Sequence, residues 1–281
     1  MKILIYGKGF LGNHFLNFFN AQGETSLFGN ANIGDIDAVR KDLAQETPDV
    51  VLNCAGKTGR PNVDWCEDHK QETLYSNVTG PLVLLQACLE KNIYFAHLGS
   101  GCIYDGDNNG KGFSEEDKPN FDGSYYSRTK TASDQALKEF PVLQLRIRMP
   151  IDSAPGPRNF ITKILQYEKV VSVANSMTVI DDLLPTAYEL IKRHRTGIYN
   201  MTNPGLIDHA TILDLYKEIV DPNFKYTVIP LEELYSKNYA TAKRSNCMLN
   251  TDKLAKEGLA MRPIEAAVRD CLEKGFKKHA A

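Results

Sequence analysis

The sequence predicts an α/β fold, a Rossmann-type doubly wound parallel sheet with a smaller C-terminal substrate-binding lobe. Three observations predict it. Strand-like and helix-like stretches alternate through the first half of the 281 residues. The stretch DVVLNCAG is apolar almost without a break, as expected where both faces of a parallel sheet are covered. A G-x-G-x-x-G run, Gly7, Gly9 and Gly12, separates the first strand from the first helix.

Each element has its own signal. KILIY is a β-rich run. FLGNHFLNFFNAQ carries helical apolar spacing at Phe10, Leu11, Phe15, Phe18 and Phe19. SLF is a short second strand. DIDAVRKDLAQE is an amphipathic helix with Asp35 as its N-cap, stopped by Pro48. After DVVLNCAG comes a long helical region over 65–91, then the strand IYFAHLGS, a helix over 125–138 and the strand VLQLRIRMP. This order implies parallel strands joined by right-handed crossovers. The second half is less regular: a helix in RNFITKILQYEK, a short strand and helix in SMTVIDDLLPTAYELIKRH, a strand in GIYNMT and a helix after Asp208. The expected division is a dinucleotide-binding domain over 1–150 and the lobe over 151–281, with the chain free to interleave between them.

Composition narrows the partners. With 33 basic and 35 acidic residues the net charge is −2, so the basic footprint of a nucleic-acid binder is missing. No apolar run reaches membrane-spanning length, and the N-terminus lacks the core of a signal peptide. The six cysteines are scattered, with no C-x-x-C pair, which points to a reduced, cytoplasmic protein. The six histidines show no ligand spacing, so no metal site is expected.

The glycines point to dinucleotide binding. Gly7 permits the tight turn, Gly9 lets backbone approach a pyrophosphate, and Gly12 lets helix and strand pack closely. Phe10 and Leu11 complete the loop, and the N-terminus of the helix offers free N–H groups to phosphate. Asn53, Ala55 and Gly56, at the end of the third strand, are further cofactor candidates. The acid that holds ribose hydroxyls in an NAD site is absent after the second strand, where the chain reads LFGNAN. That favours NADPH, with NADH possible and Lys8 or Arg40 as candidates to meet a 2′-phosphate.

Tyr126 and Lys130 form a Y-x-x-x-K pair, four apart and so on one helix face. Lysine's charge favours the phenolate; a fall of roughly three pH units from about 10 takes about 4 kcal/mol. Such a tyrosine can protonate a carbonyl oxygen as hydride arrives at its carbon, whereas Tyr125 is one residue out of register. LGSGCIYDG, over 98–106, places Ser100 and Cys102 two apart at a strand end. Read alone, Cys102 is a small, buried apolar residue.

GKGFLG, NCAGKTG, LGSGCIY and YSRTK together resemble the extended short-chain dehydrogenase/reductases that act on nucleotide sugars. LGSGCIY resembles GDP-fucose synthases, except that Gly101 stands where those carry a second serine. GRPNVDWCE, EEDKPNF, LRIRMPI, PRNFITKI, NSMTVIDDLLP, TNPG and RSNCMLNTDKL are similar to the bifunctional 3,5-epimerase/4-reductases that make UDP-L-rhamnose. The resemblance covers about 2–254. It implies NADPH and UDP-4-keto-6-deoxy-D-glucose as reactants. Cys102 and Lys163 then exchange protons at C3 and C5. Tyr126, tuned by Lys130, protonates the C4 oxygen, and Ser100 donates a second hydrogen bond to it. Arg60, Asn62, Asn77, Arg158, Asn159 and Arg244 are candidate substrate contacts, and Cys54 and Cys66 are structural. Relatives also suggest a homodimer through the 65–91 and 125–138 helices. Two other readings stand beside this one: a monofunctional dTDP-4-dehydrorhamnose reductase, and a non-catalytic NADP-binding regulatory subunit. The intact Ser100, Tyr126 and Lys130 argue against the latter.

Overall fold

A computed structural model describes residues 1–277. The described chain divides into two compact units: Met1–Ile103, Pro119–Arg146 and Ala187–Tyr199 in the first, and Tyr104–Lys118, Ile147–Thr186 and the remainder from Asn200 in the second. The change at Arg146 falls near the expected boundary at 150. The segments 104–118 and 187–199 cross it in opposite directions. Residues 278–281 of the expected lobe lie outside the described residues.

The first unit is built on parallel strands. β1 (Lys2–Tyr6), β2 (Thr25–Phe28), β3 (Val50–Asn53), β4 (Tyr94–Ser100) and β5 (Leu143–Ile147) belong to a six-stranded sheet ordered β2-β1-β3-β4-β5, closed by the strand Gly197–Asn200. β1 pairs in parallel with both β2 and β3, and β3 with β4. Strand order therefore reverses between β1 and β3, which opens a crevice at their carboxyl ends. Gly7 follows β1 there and Cys54 follows β3.

The helices form where capping and apolar spacing agree. α1 (Phe10–Ala21) buries Gly12, Phe15 and Phe19. α2 (Ile36–Glu46) is capped by Asp35, whose carboxylate accepts from the N–H groups of Asp37 and Ala38. The region expected as one long helix is three helices, α3 (Trp65–Asp68), α4 (Lys70–Leu74) and α5 (Gly80–Glu90), with a π-helical turn over Tyr75–Thr79. Pro81 is the physical reason for the last break. It has no N–H, and its ring crowds the carbonyl four residues back, so the preceding turn widens. α6 (Tyr125–Lys138) is capped by Ser124, whose hydroxyl accepts from Ser127 N–H. Leu4, Val39, Leu43, Val51, Leu84, Phe95 and Leu137 close the core between helices and sheet. Each such side chain contributes about 2 kcal/mol on burial.

The second unit has its own core, including Ile151, Ile161, Ile164, Met177, Val179, Ile212, Leu213, Val268 and Phe276. Its strands form two-stranded parallel pairs, Pro150–Ile151 with Thr178–Val179 and Lys169–Val171 with Thr227–Ile229. A short helix, α7 (Phe160–Ile164), starts from Asn159, and α8 (Ile180–Lys192) crosses from this unit into the first. α9 (His209–Ile219) starts from Asp208, whose side chain accepts from Thr211 N–H. No helix among the described residues is long and apolar enough to cross a membrane. Those residues also hold no cluster of three or more metal-ligating side chains.

Candidate active site

The loop between β1 and α1 has the shape a pyrophosphate needs. Gly7 has φ +104°, and a Cβ there would stand 2.4 Å from Ala55 N. A Cβ on Gly12 would stand 1.9 Å from the Gly7 carbonyl oxygen. Both positions are closed to any side chain. At Gly9 a Cβ would meet nothing within 4 Å, so the space above the helix N-terminus is open. Gly9 caps α1 without a side-chain hydrogen bond, and no acid lies in the first turn. The N–H groups at this terminus are thus available to an anion, and the loop fits a dinucleotide. Phe10 and Leu11 are partly exposed beside it, and Gly56 is exposed at the end of β3.

The far side of this crevice separates Lys8 from Arg40. Lys8 Nζ, in the loop after β1, donates to Asn30 Oδ1 in the loop after β2 at 3.2 Å, and both residues are exposed; the Asp42 carboxylate accepts from the N–H groups of Asn30 and Ala31 at 2.7 Å. Arg40 is engaged elsewhere. Its Nε and Nη2 fork onto Glu90 at 2.9 and 2.7 Å, and Nη1 reaches Asp37 at 3.1 Å. The expectation that Arg40 serves a 2′-phosphate is therefore corrected: its planar fork is already matched to a carboxylate.

Ser100 ends β4, and the chain turns through Gly101 to Cys102. Cys102 N–H donates to Ser100 Oγ at 3.1 Å. That bond occupies an acceptor site of the hydroxyl and leaves its proton for another oxygen. α6 is tied to the same strand end, since Lys130 Nζ donates to the Leu98 carbonyl at 3.1 Å. Tyr126 precedes Lys130 by one turn on the same face, so the pair stands beside Ser100's strand end. Tyr126 is 8% and Lys130 6% exposed. Tyr125 points elsewhere, with Lys70 and Arg128 over its ring at 5.9 and 5.5 Å.

Electrostatics single out Lys130. Burial pulls its ammonium down to about 8, opposed by the nearby Asp134 carboxylate. Cys102 follows the strand end to which Lys130 is tied, two residues beyond Ser100. The other cysteines are unlike it. Cys66, Cys88, Cys247 and Cys271 are buried. Burial also pushes the Cys54 thiol well above its ordinary range. Cys102 is partly exposed.

The second unit holds the remaining candidates. Lys163 is partly exposed on α7. Desolvation first, and the charge of Arg158 second, lower its ammonium below the usual lysine range. Asn159 is fully buried. It caps α7 through Ile161 N–H and donates to the carbonyls of Asp152 and Ala154. Arg244 is partly exposed, with Nη1 donating to the Ala242 carbonyl at 2.9 Å.

Three expected contacts have partners within the chain. Asn159 is a cap with every amide atom engaged. Asn77, 1% exposed, clamps residue 57 through both its backbone N–H and C=O, and donates to Thr129 Oγ1 at 3.1 Å. Asn53, 0% exposed, accepts from Ala55 N–H at 2.9 Å and lies 3.1 Å from His97 Nδ1. In these positions the three asparagines shape the loops around the crevice and the start of α7. Arg60 is exposed, and Asn62, partly exposed, folds its own loop by accepting from Asp64 N–H.

Sequence reasoning missed His97, whose Nε2 lies 3.3 Å from Lys130 Nζ. It also missed the buried pair of Arg146 and Asp134, 2.7 Å apart, which binds α6 to β5. The available signal was a polar residue inside each of the apolar strands around Asn53, His97 and Arg146.

Residues 1–276 match the RmlD substrate binding domain. A bifunctional dTDP-4-dehydrorhamnose 3,5-epimerase/dTDP-4-dehydrorhamnose reductase of Arabidopsis thaliana is 46% identical over 264 residues, covering 91% of this chain and 87% of that protein. A trifunctional UDP-glucose 4,6-dehydratase/UDP-4-keto-6-deoxy-D-glucose 3,5-epimerase/UDP-4-keto-L-rhamnose-reductase of the same plant is 45% identical over 95% of this chain, which spans only 41% of that longer protein. The crystal structure of the L780 UDP-rhamnose synthase of Acanthamoeba polyphaga mimivirus superposes with a TM-score of 0.93 at 38% identity, covering 98% of this chain and 99% of that one. By these similarities the chain is an oxidoreductase of the short-chain dehydrogenase/reductase fold and belongs to the RmlD substrate binding domain family.

Proposed function

We propose that this enzyme epimerises UDP-4-keto-6-deoxy-D-glucose at C3 and C5 and then reduces C4 with NADPH, yielding UDP-L-rhamnose. The observation that carries the reading is Cys102, partly exposed, hydrogen-bonded through its N–H to Ser100 and placed at the end of the strand whose Leu98 carbonyl Lys130 Nζ bonds. A plain reductase needs the serine, tyrosine and lysine but has no use for a thiol beside them. The similarity to the bifunctional plant protein and to the viral UDP-rhamnose synthase supports the same choice.

The chemistry divides between groups. C3 and C5 flank the ketone, so each can lose a proton to give an enolate. Inversion requires one group to remove that proton and another to return it on the opposite face. Cys102 and Lys163 are proposed for these roles. Lysine needs desolvation or a neighbouring cation to act as a base, and Lys163 has both. Ser100 donates its free hydroxyl proton to the C4 oxygen, and Tyr126 transfers a proton to it. Gly7, Gly9, Gly12, the N-terminus of α1 and Lys8 would hold NADPH, which supplies the hydride when bound. Arg158 and Arg244 are proposed to meet the anionic part of the substrate.

The test is solvent deuterium exchange on the 4-keto sugar without NADPH. Exchange at C3 and C5 is expected in the wild type and in Tyr126→Phe, and is expected to fall at least 100-fold in Cys102→Ala. Unchanged exchange in Cys102→Ala overturns the cysteine's role. Its absence in the wild type, with reduction of an already epimerised sugar intact, leaves a monofunctional 4-reductase.

A further inference from the structure

Asn53 and His97 are register partners on the adjacent parallel strands β3 and β4. Their side chains meet on the helix-facing side of the sheet, where Lys130 reaches down from α6. His97 is 1% exposed. The hydrogen bonds there leave few choices. Ala55 N–H donates to Asn53 Oδ1, which fixes the amide and directs Nδ2, a donor, at His97 Nδ1. A neutral His97 then carries its proton on Nε2, facing Lys130 Nζ at 3.3 Å. An ammonium at Nζ has only donors. While Lys130 is charged, two donors face each other whichever tautomer His97 adopts. Once Lys130 is an amine, the chain of bonds is complete in one direction: Ala55 N–H to Asn53, Asn53 to His97 Nδ1, His97 Nε2–H to the Nζ lone pair, and Nζ–H to the Leu98 carbonyl.

We propose that His97, oriented by Asn53, is a positioning residue that disfavours the ammonium form of Lys130. This rests on the reading of Lys130 as the partner of Tyr126 in reduction, and it changes what that partner does. A full positive charge beside Tyr126 favours phenolate, the form that has already lost the proton a reductase must deliver. A lysine with a midpoint near 8 gives up that charge as pH rises above neutrality, so the pull on Tyr126 fades where phenolate would otherwise accumulate. The other groups facing Lys130 are Cys102 from the loop after β4, and Asp134 on α6, itself neutralised by Arg146 on β5. Of these, the Asp134 carboxylate favours the ammonium. The forces toward the amine are burial and His97. Burial drives His97 well below the usual histidine range, consistent with a neutral ring.

The experiment is NMR on cofactor-free full-length enzyme with 15N-labelled histidine and lysine. The His97 ring is expected as the neutral Nε2–H tautomer from pH 6 to 9. Lys130 is expected to titrate near 8, and its midpoint to rise by at least half a pH unit, about threefold in the constant, in His97→Gln. There the glutamine carbonyl can turn toward Nζ. Asn53→Asp, which forces the proton onto His97 Nδ1 and frees Nε2 to accept, is expected to raise the midpoint further. An Nδ1–H tautomer or an imidazolium in the wild type, or a Lys130 midpoint unmoved by the substitutions, overturns the proposal. The wild-type spectrum decides the tautomer even if a variant fails to fold. No sugar or nicotinamide enters the measurement, so a chain that failed to make rhamnose would leave this result standing, and the reverse.

Discussion

Lys130 shows how a functional side chain can oppose stability. Its ordinary value is 10.5, and burial brings it to about 8 in the folded chain. The folded state thus binds the proton more weakly than the unfolded state. The whole penalty is present below about pH 8, shrinks as pH rises from 8 to 10.5, and is absent above. A fall of that size corresponds to about 3 kcal/mol. Losing the bond to Leu98 offsets about 1 kcal/mol of that. Lys130→Met is therefore expected to abolish reduction yet raise stability by about 2 kcal/mol at pH 7, with the gain crossing zero near pH 10 and turning into a loss of under about 1 kcal/mol by pH 10.5, as read from urea denaturation at pH 7 and pH 10.5. A stability loss at pH 7 would contradict the buried-charge account. Ser100, Cys102, Tyr126 and Lys130 stand out in the sequence because each belongs to a spaced motif. The partners that Asn53, Asn77 and Asn159 find within the chain were not legible, because an asparagine's partners are set by the backbone around it, which spacing does not reveal.

At the level of elements, α1 offers the sharpest contrast. Gly9 and Gly12 belong to the same motif but obey different constraints. A methyl at Gly12 collides with the Gly7 carbonyl, so Gly12→Ala is expected to lower the melting temperature of the cofactor-free chain by several degrees. A methyl at Gly9 meets only open space, so Gly9→Ala is expected to leave that temperature within about 1 °C while weakening NADPH at least tenfold. Calorimetry with and without the dinucleotide separates the two. Equal destabilisation by both would mean that the loop is merely structural. The sequence marked α1, α2 and α6 closely, since the cap at Asp35 and apolar spacing are local signals. It fused α3, α4 and α5 into one helix, because apolar spacing continues through the π-helical turn that Pro81 imposes.

For the whole molecule, dinucleotide choice is the accessible measurement. A ligand held at 100 times its dissociation constant stabilises the folded state by about 2.7 kcal/mol, roughly 5 °C or more for a chain of this length. NADPH is expected to give that shift at concentrations where NADH gives less, and Lys8→Ala is expected to close the gap. An equal response to both nucleotides in the wild type would remove Lys8 from the choice. The alternation of strands and helices, the glycine loop and the Y-x-x-x-K spacing follow from local pattern: period, caps and glycines act over a few residues, so the sequence by itself determines them. Three things came only from the tertiary structure. Register across β3 and β4 sets Asn53 against His97. The packing of α6 brings Lys130 onto that pair and buries it. The pull of Glu90 takes Arg40 away from the crevice. Each joins residues more than thirty positions apart, and burial and hydrogen-bond direction acquire values only after the chain has closed on itself.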